Sequence, residues 1–404
     1  MIHRRTLLTS AAAAGFIPAA PAILRAAEIP GVTATEIRIG NTIPYSGPAS
    51  AYGTIGKAIA ARFKMANDEG SFSGHKIKFM SYDDGYSPPK TVEQTRRLVE
   101  EDQVAALFAD LGTPTNSAIV RYVNQKKVPH LFLATGADKW GDYKETPWTI
   151  GWQPSYVTEA QVYAKYIQAQ KPNAKIGILY QNDDFGKDYL HGVRDVLKGN
   201  YDKQVTQVSY EVTDATIDSQ LVSLQSAGID VLMTVATPKF AAQAIRKVAE
   251  MNWKPMHVLT GVSVSVGAVM IPAGPRNGVG IISSAYLKDP TDPRWDNDAG
   301  MKEWRAFMAK YYPEGDVKDG GNVSAFALTH TMLHVLNQCG NDFSRANLMK
   351  QATSLKDVEN PVLLPGIKIN TSPTNYHPVR QLQLIRWTGT TWDLFGDVLS
   401  GAAA

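Results

Sequence analysis

The feature that most constrains this chain is an alternation of short apolar runs with amphipathic stretches, repeated in one order along most of its length. Ile37-Arg38-Ile39-Gly40-Asn41-Thr42-Ile43 predicts a strand, and 55–67 carries apolar residues at helical spacing. Segments 76–82, 104–108 and 130–134 predict further strands, with helices over 88–101 and 114–126 between them. A second series begins after Trp148-Thr149-Ile150-Gly151-Trp152. It predicts helices over 159–168, 186–197, 218–227 and 241–251, and strands over 175–180, 205–212, 230–235 and 256–259. Such alternation implies parallel βαβ units. The tail adds helices over 301–310 and 325–338, then a hairpin of 381–387 and 392–398 joined at Gly389. No fixed repeat of 20–50 residues is visible, which excludes a solenoid. The fold class is therefore α/β, with two halves in tandem; 404 residues exceed what one hydrophobic core usually serves.

The N-terminus reads as an address. His3-Arg4-Arg5-Thr6-Leu7-Leu8 sets paired arginines before an apolar stretch, and small residues follow through Ala20-Pro21-Ala22 to Ala27. This order marks residues 1–27 as an export signal, and the arginine pair points to the twin-arginine route. A disordered tail is the plainer alternative. The apolar core is too short to span a bilayer, so a soluble periplasmic protein of about 380 residues is expected. Removing Arg4, Arg5 and Arg25 leaves 38 basic against 38 acidic residues. Nothing in that balance asks for nucleic acid or an anionic membrane. Cys339 is the one cysteine, so no internal disulfide is possible. It lies far from the N-terminus, and no lipid anchor is expected there.

Motifs for catalysis and cofactors are missing. There is no G-x-G-x-x-G or Walker loop, and Gly261-Val262-Ser263-Val264-Ser265 is not a nucleophile elbow. His330 and His334 are four apart on a predicted helix but lack the glutamate and third ligand of a zinc site. The Asp83-Asp84 and Asp183-Asp184 pairs read as strand-end acids without an acid–base partner. The expectation is a protein that is not an enzyme, with no cofactor and no metal.

Several loops resemble one family in order. Ser46-Gly47-Pro48 with Tyr52-Gly53, Tyr82-Asp83-Asp84 with Pro88, Leu111-Gly112-Thr113-Pro114-Thr115, Ala134-Thr135-Gly136-Ala137 and Tyr180 to Gly186 are similar to periplasmic branched-chain amino-acid-binding proteins. These are the type I solute-binding proteins of ABC importers, and the resemblance covers essentially the whole mature chain. It implies two Rossmann-like lobes joined by three hinge crossovers, near 149–153, 260–265 and 360–369. Lobe one would be 28–150 plus 263–360, and lobe two 151–262 plus 361–404. It also implies a small-molecule ligand, a permease partner and, as expected here, a monomer. The family's early disulfide would fall about Tyr86 and Gly112, neither of which is cysteine.

Elementary chemistry points to the same loops. Gly112-Thr113-Pro114 follows a strand and opens a helix, with Thr113 the expected N-cap and Pro114 the first helical residue. Free N–H groups at such an end bind anions such as a carboxylate. Ala134, Thr135 and Gly136 end the next strand, on the sheet edge where ligands of open α/β sheets sit. Capping alone would also explain Thr113. Tyr52 matches a family aromatic that lies against the ligand. Tyr45, Tyr156 and Phe185 are aromatic candidates on loops facing the cleft, although packing explains each equally well. Ala236 and Thr237 end a strand of lobe two, and Thr237 falls at a family contact position. Val262 and Ser263 lie in the second crossover.

One departure bears on the ligand. Amino-acid binders of the family neutralise the ligand's ammonium with a carboxylate near the second crossover, and 260–265 holds none. A buried ammonium without a partner is costly. This favours a small organic acid lacking an α-ammonium. The aromatic residues around the cleft and the small hinge residues would suit an aromatic or phenylpropanoid one, and Ala134-Thr135-Gly136-Ala137 with Lys139-Trp140-Gly141-Asp142 resembles aromatic-acid binders. Asp183 or Asp184 could still pair an ammonium, so branched-chain amino acids and amides stay open. A ligand-sensing receptor subunit and an exported hydrolase are the other classes; the first lacks a fused signalling segment and the second a nucleophile with its base.

Overall fold

The computed structural model describes residues 29–70 and 72–400; the expected export signal lies outside them. The first series builds β1 (Glu36–Ile43), α1 (Gly53–Glu69), β2 (Lys76–Asp83), α2 (Pro88–Arg96), β3 (Ala106–Phe108), α3 (Thr113–Gln125) and β4 (His130–Leu131). The second builds α4 (Tyr156–Gln170), β5 (Ile176–Gln181), α5 (Asp184–Leu197), α6 (Tyr201–Gln204), β6 (Val205–Tyr210), α7 (Asp218–Ser226), β7 (Val231–Val235), α8 (Pro238–Glu250) and β8 (Met256–Leu259). The tail adds α9 (Ile271–Ala273), β9 (Ile282–Ala285), α10 (Ala299–Tyr311), α11 (Gly320–Gln338), α12 (Arg345–Ala352), β10 (Gln381–Trp387) and β11 (Trp392–Ser400).

Two sheets form two lobes. The first runs β2-β1-β3-β4, all parallel. The second runs β11-β10-β9-β8-β7-β5-β6, parallel from β9 to β6 and antiparallel at the tail hairpin. Central strands are buried on both faces, which is why β7 reads as a nearly continuous apolar run, Val-Leu-Met-Thr-Val. Helices α10 and α11 complete the first lobe's core, where Trp304, Phe307 and Phe326 pack with Phe63 and Phe108. Cys339 is buried beside them, and burial pushes its thiol up to about 12.

The expected strand over 130–134 is regular only at His130 and Leu131. Phe132 takes a left-handed φ of 57°, and Ala109 after β3 does the same at 56°. These matched kinks turn both chains out of the sheet, and Ala134 rejoins it through a bridge to Leu111. They deliver 110–113 and 134–136 together to one sheet edge.

The lobe limits need correction. Strand β9 was not anticipated; it sits between β8 and β10 in the second sheet, so the start of 263–360 belongs with lobe two. Val266, Val269, Met270 and Ala273 also pack into the second lobe's core, with Phe240 and Ile245. The second crossing therefore falls after Ala285 instead of at 260–265. The third falls just before β10 instead of at 360–369, because Leu363, Ile367, Ile369 and Tyr376 pack in the first lobe's core. The crossings lie side by side. The Val379 N–H of the third donates to the Trp152 carbonyl of the first at 3.1 Å, and the Tyr286 ring of the second lies 5.8 Å from the Trp152 ring.

Beneath the first lobe's loops, Asp84 is fully buried, and its carboxylate accepts the Tyr86 N–H (2.9 Å) and the Thr91 hydroxyl (2.9 Å). Burial outweighs these bonds and raises its pKa from 3.8 to about 6. The folded protein therefore holds a proton that the unfolded chain has released between those values. Stability from this group is complete below about 3.8 and is lost as pH rises to about 6. Asp84→Asn should remove that loss. Its melting temperature should exceed the wild type's at pH 8, with the gap closing as pH falls toward 4; a gap independent of pH would refute the assignment.

Candidate functional site

Between the lobes lies a cleft with about 1540 Å³ of empty space, its open mouth included. Its first-lobe wall is the end of the kinked strands. Helix α3 starts at Thr113 with Gly112 as its N-cap, and no side chain caps it. The expected capping by Thr113 is not made: its Oγ1 lies 2.6 Å from Thr135 Oγ1 instead. Carbonyls of this loop are taken up inwards. Thr115 Oγ1 donates to Leu111 O (2.5 Å), and Asn116 Nδ2 to Gly112 O (2.7 Å) and Asp110 O (3.0 Å). Asp110 in turn accepts the Thr42 N–H at 2.6 Å and its hydroxyl at 2.8 Å, which ties the loop to β1. What faces the cleft is the end of a helix with unfilled N–H positions, the arrangement that suits an anion.

Gly112 is indispensable to this loop. Its φ is 101°, and a Cβ there would lie 2.5 Å from Tyr86 Cε2 and 2.7 Å from Thr115 Oγ1. The two positions matched to the family's disulfide are thus in contact here, with the Tyr86 ring packed on the bare glycine.

The second-lobe wall is aromatic. Tyr156 opens α4 behind the Ser155 cap, and its N–H donates to Gly136 O at 2.7 Å. Its ring sits 4.8 Å from Phe185 and 5.6 Å from Tyr189. Tyr52 reaches across from the first lobe, its hydroxyl donating to Val262 O at 3.1 Å. Thr237 opens toward the cavity at the start of α8; its hydroxyl is buried and has no hydrogen-bond partner among the described residues.

Of the expected site residues, Tyr52, Gly112, Thr113, Ala134, Tyr156, Phe185, Thr237 and Val262 line the cavity. Thr135 and Gly136 stand directly behind, holding Thr113 and Tyr156 respectively. Pro114, Ala236 and Ser263 do not line it; Ser263 Oγ is spent on Ala236 O at 2.6 Å. Tyr45 is turned away: its hydroxyl lies 2.6 Å from Ser81 Oγ and its ring packs against α1 at Gly56.

The acids are arranged differently from the expectation. Asp183 caps α5, accepting the Phe185 N–H at 3.0 Å, and Asp184 pairs with Lys139 at 2.7 Å, so neither lines the cavity. Glu159, in the first turn of α4, does line it. Its Oε1 accepts the Gly261 N–H at 2.6 Å and the Tyr163 hydroxyl at 2.5 Å, and burial pushes its carboxyl upward. No cationic side chain lies within ion-pair distance of it among the described residues. The segment 260–265 holds no acid of its own, yet α4 brings this carboxylate to it from about a hundred residues away.

The sequence and the fold both have relatives. The family model described as periplasmic binding protein matches residues 36–391. A Leu/Ile/Val-binding protein homolog 7 from Brucella abortus is 22% identical over 363 residues, covering 87% of this chain and 89% of its own. A branched-chain amino-acid ABC transporter structure from Thermus thermophilus with bound valine superposes with a TM-score of 0.81 at 14% identity, covering 92% of this chain and 98% of that one. A solute-binding protein from R. palustris in complex with benzoate gives 0.75 at 18%, covering 91% and 98%. With a match that runs through both lobes and all three crossings, the chain belongs to the periplasmic binding protein family.

Proposed function

We propose that this chain captures a small organic acid with an apolar, preferably aromatic, body and hands it to the permease of an ABC importer. The observation that carries this reading is the uncapped N-terminus of α3, opening into the cleft beside the Thr113–Thr135 hydroxyl pair. A carboxylate there receives backbone N–H groups and a helix dipole. The body of the ligand then meets Tyr52, Tyr86, Tyr156 and Phe185, whose rings offer apolar faces. Both lobes touch the ligand only when closed, so binding favours the closed state. No step of this cycle makes or breaks a covalent bond. The paired arginines at the N-terminus support export by the twin-arginine route to the periplasm.

A second reading, an amino acid, is favoured by one observation: Glu159 puts a carboxylate in the cavity wall without a cationic partner. An ammonium there would be paired. The relatives that carry benzoate and valine stand on either side of this choice.

A thermal-shift series decides between them. Benzoate and p-coumarate should raise the melting temperature by several degrees at ligand excess, and leucine and valine should not. A leucine or valine shift that disappears in Glu159→Gln would overturn the first reading in favour of the second.

A further inference from the structure

Two loops from opposite lobes meet at the cavity wall, and they share their helix caps. Ser265 of the second lobe begins the turn Val266–Met270, where its Oγ accepts the Ala268 N–H at 3.1 Å. The same oxygen accepts the Gly320 N–H at 3.2 Å and donates to Asp319 Oδ1 at 2.7 Å. Asp319 is the first lobe's N-cap for α11, and its Oδ1 also accepts the Gly321 N–H at 2.9 Å. Gly320 is the first residue of α11, so its N–H has no partner inside the helix. That partner comes from the other lobe. One residue pair further on, the Gly267 N–H donates to Lys318 O at 2.9 Å.

The loops are shaped for this approach. A Cβ on Gly267 would lie 2.4 Å from Asp316 Oδ2 and 3.2 Å from the Asp319 nitrogen. Asp319 is buried, and a hydroxyl bonded to a shielded carboxylate is worth more than one in water. Ser265, Asp319 and Gly320 all line the cleft, yet their bonds to one another involve no ligand.

We propose that Ser265 is a positioning residue for closure: it carries the capping of α11 from the second lobe, so part of the closed state's stability comes from the protein alone. Opening the cleft breaks three lobe-to-lobe bonds here, from Ser265 to Asp319, Gly320 to Ser265 and Gly267 to Lys318. The bound ligand is then retained by its own contacts plus this clasp. The proposal rests on the reading that the lobes close on a ligand, but not on which ligand that is.

The test is small-angle X-ray scattering of the full mature chain without ligand, for wild type, Ser265→Ala, Ser265→Thr and Gly267→Ala. Ser265→Ala and Gly267→Ala should scatter as more open ensembles than wild type, and Ser265→Thr should restore the compact one. With benzoate or leucine as probe, whichever shifts the melting temperature, dissociation from Ser265→Ala should be roughly tenfold faster with little change in association. A merely structural serine would lower the melting temperature without moving that kinetic split. Scattering identical to wild type in both Ser265→Ala and Gly267→Ala overturns the proposal. The scattering needs no ligand, so a failed ligand screen leaves it intact, and a failed clasp leaves the ligand screen intact.

Discussion

Trp152→Ala should lower the unfolding free energy by about 3–5 kcal/mol and the melting temperature by on the order of 10 °C. Trp152 is 1% exposed and lies where all three crossings meet. Its indole N–H donates to Thr331 Oγ1 at 3.0 Å, its carbonyl accepts the Val379 N–H, and its ring packs 5.8 Å from Tyr286. Truncation leaves a ring-sized hole at the hinge itself and takes away one of Thr331 Oγ1's two bonds, the other running to Ala327 O at 3.1 Å. Calorimetry of the ligand-free protein checks this; a loss below 1 kcal/mol would show that the crossings collapse around the gap.

The second large effect is on binding. Gly112→Ala should weaken ligand affinity at least a hundredfold, through two costs that add. The left-handed φ of 101° disfavours any side chain, and the new Cβ meets the Tyr86 ring at 2.5 Å. The loop must rotate, which re-aims the N–H groups of α3 away from the cleft. Titration calorimetry with the ligand found by thermal shift reads the change. Unaltered affinity would mean that the ligand does not use this end of α3.

The alternation of periods two and 3.6 made the α/β halves legible, because parallel strands buried on both faces show as apolar runs. Strand β9 escaped for a physical reason. Its centre is Ser283-Ser284, polar residues buried by hydrogen bonds: Ser283 Oγ donates to Leu259 O at 2.7 Å, and Ser284 Oγ lies 2.9 Å from the Tyr163 hydroxyl. A strand that satisfies its side chains sideways has no apolar signature, and missing it displaced the second crossing. The Gly112-Thr113 loop was readable because strand, glycine and helix start are adjacent in sequence. Glu159 was not, since only tertiary packing puts it beside Gly261. Tyr45 shows the opposite failure: a loop aromatic near the cleft edge whose hydroxyl was already claimed by Ser81.

The buried cysteine beside the first lobe's core has a use in the laboratory. A thiol 5% exposed and held near pKa 12 carries almost no thiolate at neutral pH, so alkylating probes react with it slowly unless the lobe unfolds. New cysteines at exposed sites, such as Lys64 on one lobe and Val222 on the other, would take fluorophores selectively with the native residue left in place. The molecule thus arrives with a silent background against which energy transfer between such probes would test the proposed lobe closure.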